Sequence, residues 1–304
     1  MNAWEPLAAA DGGNLGEAQA DAPAAFEIIQ PAAGAPRGPL VFASPHSGRI
    51  YPPGMMAASR LDGAAIRRSE DVWVDQLVAD APAHGATLIV ARLARVYLDV
   101  NREPWELDQA MFSDELPAYA RGRSARVAAG LGAIARIVCE GQEVYARKLT
   151  FAEARARVES VHRPYHEALA ALVDATVGQH GLAVLLDWHS MPSAAARLGG
   201  GAGGCDFVLG DRFGGACAPA VSRLVERELT ARGYAVARNA PYAGGYTTEH
   251  YGRPARRTHA LQIEVNRALY VDEATLEPNA GFARLKHDLG GLFAALAEMD
   301  WSRL

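Results

Sequence analysis

Residues 182–190 read Leu182-Ala183-Val184-Leu185-Leu186-Asp187-Trp188-His189-Ser190. Consecutive apolar residues without polar alternation suit a strand covered on both faces. The run ends in a carboxylate, an imidazole and a hydroxyl. Similar runs lie at Leu40–Ala43, Ala86–Leu93, Val96–Val100, Asp206–Gly210 and Ala260–Val265, bounded by turn formers or polar residues. Gly34-Ala35-Pro36-Arg37-Gly38-Pro39 punctuates the entry to the Leu40 run. Between the runs lie helical patterns. From Glu70 to Ala83, Val74, Leu77 and Val78 share one face. From Glu140 to Val177, Val158, Val161, Tyr165, Leu169 and Leu172 recur at three- and four-residue steps, with Pro164 starting or kinking a helix. Pro219 to Arg232 and Ala280 to Met299 complete the set. Strands alternating with helices predict an α/β fold, a three-layer α/β/α sandwich.

Residues 1–25 are rich in Ala, Gly and Asp without periodicity and read as a loosely structured extension. No Pro-, Ser- or Gly-rich linker divides the chain after residue 36, so 26–304 reads as a single catalytic domain. The Gly-rich segment Gly199–Gly204 reads as a surface or active-site loop.

The chain has 304 residues, 50% of them hydrophobic and 21% charged, an ordinary globular balance. A net charge of -5 gives no reason to expect nucleic acid or an anionic membrane as partner. Cys139, Cys205 and Cys217 are odd in number and lack CxxC spacing, so reduced thiols are expected rather than a disulfide framework. The N-terminus has no basic segment followed by an apolar run, and no stretch approaches the roughly 18–20 apolar residues of a membrane span. A cytoplasmic location is expected. The GxSxG, HExxH and GxxxxGK[ST] templates are absent.

In open α/β sheets the functional crevice lies beyond the carboxyl ends of the strands. Leu40–Ala43 leads into Ser44-Pro45-His46-Ser47-Gly48, Leu182–Leu186 into Asp187 and His189, Val96–Val100 into Asn101-Arg102, and Ala260–Ile263 into Glu264-Val265-Asn266-Arg267. A catalytic zinc site needs three protein ligands and an open position. His46 and His189 supply two, and Glu70 or Asp71 the third. Glu70 is favoured because on a helix it shares the sheet-facing side with Val74 and Leu77, with Asp71 rotated by about 100°. Glu264, in an otherwise apolar strand, reads as the general base, since a lone buried carboxylate is costly unless paired or near a metal. Asn101, Arg102 and Arg267 are candidates to grip a substrate carboxylate. Tyr246, Thr247 and His250 lie in a Gly-containing segment, Tyr242–Pro254, suited to folding over a small polar ligand. His84, His162, His166, His180, His259 and His287 read as structural or surface residues.

The ordered motifs resemble the N-formylglutamate amidohydrolase (deformylase) family. They are Ser44-Pro45-His46-Ser47-Gly48 with Tyr51-Pro52, Ser69-Glu70-Asp71 with Val74-Asp75, Asp99-Val100-Asn101-Arg102 and Arg163-Pro164-Tyr165-His166. They continue with Leu186 to Pro192, Gly244-Gly245-Tyr246-Thr247, His250 to Pro254, and Gln262 to Arg267 with Tyr270. The resemblance implies a mixed, mostly parallel sheet of the phosphorylase/hydrolase-like type, related to zinc carboxypeptidases and amidases. It implies a Zn²⁺ cofactor and hydrolysis of N-formyl-L-glutamate to formate and L-glutamate in histidine degradation. A related hydrolase acting on another N-acyl amino acid or peptide-like amide is the alternative. Carboxypeptidases draw a His and a Glu ligand from one HxxE, whereas here Ser47-Gly48-Arg49 follows His46, which leaves Glu70 and Asp71 both open.

Overall fold

The computed structural model describes residues 24–138, 141–199 and 203–304. The expected extension thus lies almost wholly outside the described residues, as do Cys139 and part of the Gly-rich loop. Among the described residues nine strands follow in chain order: β1 Phe26–Ile29, β2 Leu40–Ser44, β3 Thr87–Ala91, β4 Ile137–Val138, β5 Gln142–Glu143, β6 Ala183–Met191, β7 Phe207–Gly210, β8 Val236–Arg238 and β9 Thr258–Asn266. β4 and β5 form a small separate ribbon, and the other seven make one sheet in the order β1-β3-β2-β6-β9-β7-β8. The pairs β2–β3, β2–β6, β6–β9 and β7–β8 are parallel, while β1–β3 and β7–β9 are antiparallel. The fold is α/β, with a mixed, mostly parallel sheet and helices on both faces.

Period-two alternation sorts the strand side chains between two cores. Phe42, Val184, Leu186, Trp188, Leu261 and Ile263 pack toward the helices Pro219–Ala231 and Phe282–Ala297. Val41, Ala43, Leu185 and Ala260 face the helix Arg163–His180 through Tyr165, Leu169 and Val173. Continuing the second face along the long central strands gives Asp187 and His189 on β6, and Gln262 and Glu264 on β9. These polar groups therefore replace core residues at the end of one buried face, while Trp188 between Asp187 and His189 stays in the opposite core.

Four expected elements differ. The Val96–Val100 run is a turn, not a strand, because the Asp99 carboxylate accepts from Asn101 N at 2.9 Å and bends the chain. No helix runs from Glu70 to Ala83; Trp73, left-handed at φ 61°, delays it to Val74–Leu77, and a 3₁₀ turn follows at Ala81–His84. In the expected Glu140–Val177 stretch, described from residue 141 onward, helix begins at Phe151, where Thr150 and Glu153 form a reciprocal cap. The Tyr242–Pro254 loop contains a short helix, Tyr246–Tyr251. The edge strands β1 and β8 were not apparent in the sequence, being short and only partly buried.

Candidate active site

His46 leaves the carboxyl end of β2, and its backbone carbonyl accepts from Asp71 N at 3.0 Å, which docks the Glu70–Asp71 turn against it. His189 lies inside β6, directly opposite Glu264 of β9 in the parallel register. His46 Nδ1 and His189 Nδ1 stand 3.0 Å apart. Asp71 Oδ2 lies 3.2 Å from the first and 3.1 Å from the second. These buried atoms form the His46, Asp71, His189 group able to hold a metal ion.

The opposite edge of each imidazole is fixed by a carboxylate. His46 Nε2 donates to Asp99 Oδ1 at 2.6 Å, and His189 Nε2 lies 3.0 Å from Asp187 Oδ2. Each carboxylate draws the ring hydrogen to Nε2 and leaves a lone pair on Nδ1. Two such lone pairs and a carboxylate oxygen converging within 3.2 Å repel one another unless a metal cation, or a proton on His189 Nδ1, lies between them. Tetrahedral zinc with bonds of about 2.0–2.1 Å has ligand–ligand edges of about 3.3–3.4 Å. The triangle, with edges of 3.0–3.2 Å, is a little tighter than that size. Asp71 Oδ1 takes Arg267 Nη2 at 3.1 Å and Arg95 Nη1 at 3.5 Å. Despite burial, the two histidines and Arg95 hold the Asp71 carboxyl well below the usual range. Burial opposes charge on His189 too, but Asp187 and Asp71 raise its pKa well above the ordinary value.

Glu70 does not join this group. Its carboxylate accepts from Tyr51 Oη at 2.6 Å and pairs with Arg67 at 3.3 Å, while burial raises its pKa. Glu70 shares no helix face with Val74 and Leu77, because neither Glu70 nor Asp71 is helical, and in the observed turn adjacent side chains diverge. Glu264 accepts from Gln262 Nε2 at 2.8 Å. Burial pushes its carboxyl up to about 7, with His189 opposing and Asp71 reinforcing the rise.

The other expected binding residues are placed less directly. Arg102 donates Nε to Leu131 O at 3.1 Å and Nη1 to Asn101 O at 3.0 Å. Arg267 donates to Glu70 O at 2.6 Å and Ser190 Oγ at 3.0 Å besides Asp71, and so braces the site. Asn101 Oδ1 accepts from Thr247 N at 2.8 Å, and its Nδ2 donates to Asp187 Oδ2 at 3.4 Å. Tyr246 is half-buried, with His250 stacked on it at 5.0 Å. The sequence assigned no role to Arg95, Asp99, Asp187 or Gln262, although Asp187 stands at a strand exit. Asp187 and Gln262 each precede a candidate by two residues on a strand, so period-two alternation was the available signal. Arg95 and Asp99 arrive through an irregular turn that offers none.

Residues 38–271 match the family model described as N-formylglutamate amidohydrolase. N-formylglutamate deformylase of Pseudomonas aeruginosa is 30% identical over 240 residues, covering 78% of this chain and 84% of its own length. The Pseudomonas putida protein of the same name is likewise 30% identical, covering 78% and 83%. The crystal structure of N-formylglutamate amidohydrolase from Ralstonia eutropha JMP134 superposes with a TM-score of 0.84 at 40% identity, covering 90% of this chain and 98% of that one. A protein of Agrobacterium tumefaciens, 17% identical, shares the fold with a TM-score of 0.60 over 90% and 94% of the two chains.

Proposed function

The chain belongs to the N-formylglutamate amidohydrolase family, and from that footing we propose that it hydrolyses N-formyl-L-glutamate to formate and L-glutamate with a bound Zn²⁺. The observation that carries this reading is the convergence of His46 Nδ1, His189 Nδ1 and Asp71 Oδ2 beside Glu264. A divalent ion there supplies Lewis acidity, polarising a carbonyl and easing ionisation of a water. The protein's own groups do the rest. Glu264, with a pKa near neutrality, accepts the proton of the attacking water. As the carbon–nitrogen bond breaks, it returns that proton to the departing amino nitrogen, leaving formate and glutamate.

Asp99 and Asp187 keep both imidazoles in the tautomer that ligation needs. Arg267 and Arg95 hold Asp71 ionised and oriented. The substrate carries two carboxylates, and guanidinium groups match them in pairs of hydrogen bonds. Arg102 Nη2, free of the carbonyls that hold Nε and Nη1, is one partner. The partly exposed Arg95 is a second. Tyr246, Thr247 and His250 close the far side from their helix. The activity belongs to histidine degradation in the cytoplasm; no described helix is long and apolar enough to cross a membrane.

Formate release from N-formylglutamate, compared with N-acetylglutamate and other N-formyl amino acids, tests the proposal on protein of measured metal content. Preferential turnover of N-formylglutamate by metal-loaded protein is expected. Turnover of N-acetyl substrates alone would transfer the assignment to another N-acyl amino acid, and zinc-free protein with full activity would remove the metal from it.

A further inference from the structure

The segment Arg163-Pro164-Tyr165-His166 takes no part in the chemistry above, yet it lies against the site. The helix Phe151–Arg157 passes through a π-helical turn, Val158–His162, into the helix Arg163–His180. Pro164 gives this turn a local cause: its ring would crowd the carbonyl four residues back, and it has no N–H for the ladder. Arg163 N–H reaches instead to Val158 O, one residue further than in an α-helix. Such wide turns are rare and concentrate at functional sites.

The result is a pair of neighbouring imidazoles, His162 and His166, with ring centroids 4.3 Å apart. His166 Nε2 donates to Val100 O at 2.7 Å, and His162 Nε2 donates to Arg102 O at 2.9 Å. Those carbonyls flank Asn101 on either side. His166 Nδ1 accepts from Tyr251 Oη at 2.9 Å, joining the helix Tyr246–Tyr251 to the same point. Desolvation lowers both histidine pKa values, that of His162 to about 4, so both rings are neutral near pH 7. Plain helix packing would be served by apolar side chains without the cost of burying the His162 imidazole and much of its His166 neighbour. Two ring hydrogens aimed at the two carbonyls around one residue indicate a narrower task. Asn101 itself joins two parts of the site: its Oδ1 receives Thr247 N at 2.8 Å, and its Nδ2 donates at 3.4 Å to Asp187 Oδ2, the same carboxylate oxygen that stands 3.0 Å from His189 Nε2.

We infer that His162 and His166 form a two-point imidazole clamp that positions Asn101, and through it the Asp187–His189 pair and the Tyr246–Tyr251 helix. They are positioning residues and touch no reacting atom. The inference rests on the proposed amidohydrolase reading for its kinetic readout but not for its metal readout.

A double-mutant cycle tests it, using His166→Leu, His162→Leu and Asn101→Ala in the full-length zinc-loaded protein. Two quantities are measured, kcat/KM for N-formylglutamate and zinc retention against a chelator. Each single variant is expected to lose about 10–100-fold in one or both, the usual effect of removing an outer partner of a ligating histidine. In the Asn101→Ala background the histidine variants are expected to lose little more, because the clamp acts through the residue already removed. His166→Gln and His162→Gln, which keep an amide donor near the Nε2 position, are expected to recover to within a few-fold of wild type. Losses that multiply in the double variants would overturn the inference, as would wild-type behaviour of both Leu variants. Should the Leu variants fail to fold, the Gln variants decide it: native melting with the same large losses rejects the clamp. A wild-type protein that releases no formate would reject the proposed reaction, while the zinc-retention cycle, which needs no substrate, would still judge the clamp.

Discussion

At the scale of single residues, the choice between Glu70 and Asp71 turns on backbone conformation. Both follow one another in the sequence and either could ligate, but only Asp71 has its N–H bound to His46 O and its carboxylate beside both imidazoles. Asp71→Asn is therefore expected to lose bound metal on dialysis, while Glu70→Gln retains it within a few-fold. Metal analysis of the two dialysed proteins checks this, and the reverse pattern would return Glu70 to the site. Glu264→Gln removes the proposed proton acceptor and leaves the three-atom group intact. Its kcat is expected to fall by about 10²–10⁴-fold, the usual range for a general base, at unchanged metal content. Activity within tenfold of wild type would exclude Glu264 from that role. His46, His189 and Glu264 were legible because each is a polar residue at or in an apolar strand. The Glu70–Asp71 choice was not, since a left-handed Trp73 leaves no mark in hydrophobic periodicity.

At the scale of elements, the central strands divide two tasks between their faces. Trp188 packs between Phe42 and Phe293, with ring centroids 5.7 Å from each, while Asp187 and His189 face the other way. Trp188→Ala should lower stability by about 3–5 kcal/mol in urea unfolding, the usual cost of truncating a large buried aromatic. The zinc-loaded folded fraction should keep kcat within about threefold. A larger fall in kcat than in folded fraction would mean that the two faces are not separable. The strand and long-helix pattern was readable because the apolar runs are continuous. The turns that carry Arg95, Asp99 and Asn101 were not, because side-chain-to-backbone hydrogen bonds shape them and these depend on tertiary placement.

At the scale of the whole molecule, burial of neutral imidazole links the fold to acidity. His162 is held down to about 4, against about 6.5 for a free histidine. Between those values the unfolded chain binds a proton that the folded chain does not, so stability falls as pH drops through that window. Asp99 favours the charged ring, whereas desolvation and His250 oppose it, and the Arg102 carbonyl accepts from it. From pH 7 to pH 4.5, wild type is expected to lose on the order of 2–3 kcal/mol more stability than His162→Gln. Denaturant unfolding of both proteins across that range measures the difference, and parallel curves would contradict it.

The pairing of His189 with Glu264 across two parallel strands also bears on how such a molecule can change. Their separation is set by backbone hydrogen bonds at the centre of the sheet, a spacing of about 4.8 Å that no loop controls. On the proposed reading of the Tyr242–Pro254 segment as a cover for the substrate, exchanges there alter which acyl amino acid enters without disturbing that spacing. A slip of one residue between β6 and β9 has the opposite effect, since it would carry every reactive group on the moved strand into the apolar layer behind. Substrate range is thus open to gradual variation, whereas the chemistry can be kept or lost only as a unit.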